Sequence, residues 1–245
     1  MPGLLLLLFS LALSIGAVTV LFVIHQVRQK RLAPRQSTSR VAMPFSVPIL
    51  NYASVRRPVC WLAIKSRNLR TVQSALGLHN PKPCSFMEGL AGGEKLFIAP
   101  PVKGWIFVMG DGLPQPNEDV DICFRFLINI SRKLGEVQFF SASRILLHHA
   151  WVKLDRGRVV RAYAWAGRTL WHQGRKTRAE EALNLHTLDY TEMAERASFN
   201  EPDFIAQNVE KVPLLAAHWS LDPACIDERF LETERGIAGS PSRRY

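Results

Sequence analysis

The sequence predicts an α+β chain, a single domain built on a mainly antiparallel sheet behind one N-terminal transmembrane helix. Three observations predict it. Residues 3–24 carry no charge, and the basic residues that follow them have no acidic counterpart before residue 58. Beyond that point short apolar runs alternate with one-faced helical patterns in the order β-α-β-β-α-β. A further pair of strand-like runs then flanks Asp155-Arg156-Gly157-Arg158, the mark of an added β-hairpin with Gly157 in its turn.

The apolar run, GLLLLLFSLALSIGAVTVLFVI, is 22 residues long. As a helix it would span about 33 Å, enough for a hydrocarbon core of about 30 Å. His25, Arg28, Lys30, Arg31 and Arg35 follow it, whereas only Met1-Pro2 precedes it. Basic flanks stay on the cytoplasmic side, so the expected orientation is N-terminus outside and domain inside. Residues 1–27 are thus read as an anchor and 28–57 as a basic linker. The partners expected here are a lipid bilayer through residues 3–24 and anionic headgroups near Arg28, Lys30, Arg31 and Arg35. Residues 43–52, MPFSVPILNY, are apolar enough to dock on the domain or the membrane. The rival is a cleavable signal peptide with an exported domain. It would want a basic n-region and a shorter apolar stretch, and neither is present.

Residues 58–235 are read as the globular domain and 236–245 as a disordered tail. The formal net charge of the chain is +10. Seven basic residues precede Pro58 and two follow Arg235, leaving 22 basic against 21 acidic in the domain. A domain so nearly neutral lacks a field to attract phosphates, which disfavours nucleic acid as a partner. Local basic clusters remain at Arg156, Arg158 and Arg161, and at Arg175, Lys176 and Arg178. The four cysteines, Cys60, Cys84, Cys123 and Cys225, form no CxxC. Two of them lie in apolar runs, where a thiol serves as a small hydrophobe.

Within the domain, residues 59–64 read as a buried strand. Ser66 can cap a helix carrying Leu69, Val72 and Leu76 on one face, with Gly77 after its end. Residues 80–83 read as loop and 89–94 as a glycine-rich turn. Residues 95–99 and 105–109 are strand-like, and Gly110-Asp111-Gly112 ends the second. Asn117 is the expected cap of the longest helix, which runs through Leu134 to Gly135 with Glu118 and Asp119 in its first turn. Residues 137–141 form the next strand. This order is that of the split β-α-β, or ferredoxin-like, core, with helices on one sheet face. After the hairpin, Thr177 and Glu180 have capping-box spacing. Residues 203–212 read as helix interrupted at Pro213, and Asp222-Pro223 as the start of another helix through Leu231.

Candidate chemistry is sparse. GxGxxG, GxxxxGK[ST] and GxSxG are absent, so no cofactor is expected. His79 and Cys84 lack a second ligand pair at zinc spacing, and no metal is expected either. Adjacent His148 and His149 point to opposite faces of a strand. Asp111, between two glycines at a strand end, could pair with one of them as acid and base in a hydrolase-type enzyme. The competing expectation is a membrane-anchored, cytoplasmic-facing interaction module for a protein or small-molecule ligand of unknown identity. Its binding cluster would be Trp165, Arg168, Trp171 and His172, where aromatic and cationic groups crowd together.

The runs CFRFL (123–127), VQFF (137–140), HHAWV (148–152), RAYAWAGRTLWHQG (161–174) and EKVPLLAAHWSLDP (210–223) together resemble a bacterial family of uncharacterised proteins. The resemblance spans residues 59–227. It implies a single domain and a bacterial source, and carries no activity, cofactor or site residue.

Overall fold

A computed structural model describes residues 58–86, 88, 95–191, 203–226 and 234–241. The expected anchor (1–27), linker (28–57), glycine-rich turn (89–94) and last tail residues (242–245) lie outside them. Among the described residues no helix is long and apolar enough to cross a membrane.

The elements in chain order are β1 (Cys60–Lys65), α1 (Leu69–Leu76), β2 (Leu78–Cys84), β3 (Leu96–Ile98), β4 (Trp105–Met109), α2 (Val120–Leu134), β5 (Glu136–Ser143), β6 (His148–Asp155), β7 (Arg158–Trp165), β8 (Thr169–Gln173), α3 (Arg178–Ala182), α4 (Phe204–Trp219), a 3-10 turn (Pro223–Cys225) and β9 (Gly236–Pro241). The fold class is α+β. Nine described strands form one sheet in the order β2-β9-β3-β4-β1-β5-β6-β7-β8. Every pairing is antiparallel.

Period-2 alternation divides the central strands between two apolar layers. Cys60, Leu62 and Ile64 of β1, Ile106 and Val108 of β4, and Val137 and Phe139 of β5 face α1 and α2. Trp61 and Ala63, Phe107 and Met109, and Phe140 face the other way, into the layer that α4 closes. The expectation of helices on one face is therefore corrected: both faces are covered. The sequence shows why, since β1 and β4 have no polar residue at alternate positions to offer to water.

Local signals explain most boundaries. Asn68, not Ser66, caps α1: its Oδ1 accepts from Thr71 N at 3.1 Å, while Ser66 Oγ accepts from Asn68 N. Gly77 ends the helix at φ 59. Asp119 rather than Asn117 caps α2, accepting from Asp121 N and Ile122 N at 2.9 and 2.8 Å. In the β6–β7 hairpin both Arg156 and Gly157 have positive φ, 48 and 76, the backbone of a tight two-residue turn.

The structure corrects or adds to the sequence reading at five further places. Residues 80–83 are not loop but part of β2, which stands at the sheet edge and so tolerates Pro81 and Pro83. Residues 169–173 form strand β8. The apolar pattern around Pro213 is one helix, because the proline removes a single hydrogen bond that packing of Val212, Leu215 and Ala216 offsets. Residues 236–241 are no disordered tail: they form β9, inserted between β2 and β3. The helix expected through Leu231 is a 3-10 turn ending at Cys225, and residues 227–231 lie outside the described set.

Glycine is what admits β9. A Cβ on Gly236 would meet Ile98 O at 2.4 Å and the Phe97 ring at 2.5 Å. Gly236→Val should therefore lower the unfolding free energy by about 1–3 kcal/mol, read as a fall in the urea midpoint followed by tryptophan fluorescence. An unchanged midpoint would show that β9 does not need this close approach.

Candidate functional site

The residues singled out in the sequence are scattered by the fold. Trp165 is buried in the layer under α4, whereas Trp171 is buried in the layer of α1 and α2 with its ring edge-on to Phe124. A register shift between Ala164 and Trp165 separates them: Trp165 pairs with Thr169, and Trp171 with Ala164. Arg168 is exposed in the intervening turn. His172 returns to the α4 side, edge-on to Tyr163, with Nδ1 3.0 Å from Asp189 Oδ1. The expected four-residue binding cluster thus straddles the sheet and shares no pocket. Its aromatic members serve the core.

Asp111 is exposed in the turn after β4. His148 and His149 open β6, three strands away across β1 and β5. Three ladder spacings put the backbones about 14 Å apart. No hydrogen bond links Asp111 to either imidazole among the described residues. The acid–base pairing expected from sequence is not assembled by this geometry.

His149 instead completes a buried polar–aromatic cluster. Its ring stacks on Trp151 at 5.6 Å and lies 5.8 Å from Tyr163. Asn208 of α4 places Nδ2 3.3 Å from His149 Nε2 and 2.6 Å from the His186 carbonyl, while its Oδ1 accepts from His186 N. With Asn208 donating, Nε2 is the unprotonated nitrogen. Burial pushes the His149 pKa down to about 4, with the charge of His148 acting the same way and the Leu147 carbonyl opposing. The folded pKa lies below that of an unfolded histidine, about 6.5. His149 stabilisation is therefore complete above about pH 6.5 and is lost as pH falls towards 4. The loss should reach roughly 3 kcal/mol. Unfolding free energies between pH 7 and 4 should show this slope, and His149→Gln, which keeps an acceptor for Asn208, should flatten it. A slope that persists in the variant would assign it elsewhere.

Sequence reasoning missed the deepest feature. Arg161, grouped above with Arg156 and Arg158 as surface charge, is fully buried and paired with fully buried Glu180. Arg161 Nε donates to Oε1 at 2.9 Å and Oε2 at 3.2 Å. Arg161 Nη1 donates to the carbonyls of Ala162, Gln173 and Gly174. Glu180 also accepts from Trp151 Nε1 at 2.8 Å and closes the capping box with Thr177. The signal was present in two halves, the Thr177–Glu180 spacing and an arginine at an inward position of β7. With Arg161, Trp151 and Thr177 on it, the Glu180 carboxylate is occupied by structure.

What remains open is a surface. A groove of about 280 Å³ runs between the β5–β6 turn and α4, lined by Pro58, Val59, residues 142–145, Val209, Glu210 and Pro213. A second recess of about 380 Å³ continues it along Leu147, Ala206, Gln207 and Lys211, sharing Arg144, Val209 and Glu210. Arg144 Nη2 donates to Glu210 Oε2 at 2.5 Å across the wall. Pro213 has no N–H to give the Val209 carbonyl, so the helix is weakest where it faces the groove. Of the lining residues, Ile145 is 94 % exposed and Val59 54 %, and Leu146 and Leu214, the chain neighbours of lining Ile145 and Pro213, are 59 % and 50 % exposed.

No family model, curated protein or solved structure matches the chain. Among the described residues no group of three His, Cys, Asp or Glu side chains could hold a metal ion. No disulfide links Cys60, Cys84, Cys123 or Cys225; burial raises the thiol pKa of Cys60 and pushes that of Cys123 up to about 12, so both are protonated at neutral pH.

Proposed function

We propose that the chain is a membrane-anchored interaction module, tethered by residues 3–24 with the domain on the cytoplasmic side, and that its binding surface is the groove between α4 and the β5–β6 turn. Exposed bulky apolar side chains on that rim are the observation that carries the reading. Large apolar groups gathered around a concavity mark interaction surfaces rather than ordinary protein exterior. The finer fold reading belongs with it: β3-β4-β1-β5 has the strand order of a ferredoxin-like core, with α1 and α2 on one face. A bacterial source is part of the same proposal.

Two measurements test it. Membranes carrying the full chain should retain it through alkaline carbonate, and external protease on intact cells should leave the domain whole. Release would reject the anchor, and digestion the orientation. A photo-crosslinking residue at position 145 or 214 should form adducts that one at position 156 does not. No adduct at either rim position would reject the groove as a binding surface.

A further inference from the structure

The turn joining β5 to β6 is made of the wrong residues for a turn. Gly, Asn, Asp and Ser are usual where the chain reverses. Here Ile145, Leu146 and Leu147 follow Arg144, and Ile145 is 94 % exposed. Leu147 adopts φ 55, a left-handed backbone that an aliphatic side chain rarely takes. Exposure and strain thus coincide in one short segment, and neither serves the core. Val59, 54 % exposed, lines the same groove as Ile145.

The position of this turn says what it faces. Pro58, the first described residue, lines the same groove as Ile145, so the chain arrives from its N-terminal segment at the patch itself. That segment holds the uncharged run 3–24, then seven basic residues and no acid before Pro58. At the patch, Arg144 and Lys211 stand against a single carboxylate, Glu210, which Arg144 already pairs. An apolar tip, a flank on which Lys211 is in excess of the Arg144–Glu210 pair, and a basic stretch of sequence before Pro58 match an anionic lipid surface: aliphatic side chains enter the acyl boundary while basic groups meet headgroups.

We propose that the partner of the groove rim is the bilayer itself, with Ile145 and Leu146 inserted into the interface of an anionic membrane. The inference rests on the proposed function and names the partner of its surface.

The test uses the full chain in phosphatidylcholine–phosphatidylglycerol vesicles, with Cys84→Ser and Cys225→Ser leaving only the buried cysteines. Ile145→Cys or Arg156→Cys then carries an environment-sensitive fluorophore. Position 156 lies at the far end of β6, about 24 Å away along an eight-residue strand. Shallow spin-labelled lipid should quench the label at 145 at least twofold more than that at 156. Equal quenching would overturn the proposal. A blue-shifted label at 145 that lipid does not quench would also overturn it, and would assign the patch to a second copy or to residues 43–52. Alkaline flotation of the same vesicles reads the anchor separately. Chain that washes off but was quenched at 145 would refute the anchor and uphold the inserted tip; chain that stays but is not quenched would do the reverse.

Discussion

Replacing Glu180 by alanine should destabilise the domain by about 3–5 kcal/mol. The change leaves the Arg161 guanidinium fully buried without its counter-charge, removes the acceptor of Trp151 Nε1 and opens the capping box of α3. The pair itself is not a large net source of stability, because taking both ions out of water costs nearly as much as their attraction returns. What is expensive is half a pair. Arg161→Met combined with Glu180→Leu should therefore be markedly more stable than either single variant, losing mainly the cap and the Trp151 contact. Urea unfolding of the four proteins closes a double-mutant cycle. Additive losses would mean that the two side chains are not coupled, contrary to the 2.9 Å contact.

Ending the chain after Glu234 should have an effect at least as large. Strand β9 joins β2 to the rest of the sheet, with five residue pairs to β2 and three to β3. Its ladder hydrogen bonds, at about 1 kcal/mol each, make the loss on the order of 4–6 kcal/mol before packing is counted. Ala238, buried against the α4-side layer, adds to this. The truncated protein should also expose the edge of β3, a short fully buried strand, and such edges pair with other chains. Size-exclusion chromatography and a urea titration should show aggregated or broadly unfolding material. A monomer with an unchanged midpoint would make β9 an ornament.

The parts of this fold that were legible from sequence are those whose local chemistry and tertiary place agree. Gly77, Gly135 and the Arg156-Gly157 turn stand where their backbone angles require them, and β4 is bounded as its apolar block suggests. Elements whose place is decided by distant partners were not legible. Residues 236–241, GIAGSP, have a single strand-forming side chain, Ile237; what holds them is close approach of backbones at Gly236 and Gly239, which only the neighbouring strands define. The prolines of β2 read as a loop because a sequence does not say which strand is an edge. The candidate site failed for a related reason. Composition around residues 165–172 shows two tryptophans close in sequence, but the register shift at Trp165 decides that they lie on opposite faces. Arg161 and Glu180 are 19 residues apart, and burial, not spacing, makes them a pair.

The late position of β9 in the chain and its internal position in the sheet together constrain biosynthesis. While residues 236–241 are still inside the ribosome, β3 has no neighbour on one side and β2 has none to join. The sheet can be completed only once β9 is free to insert, however early β1 to β8 have gathered. That interval is one in which chaperones would find an unpaired edge to guard.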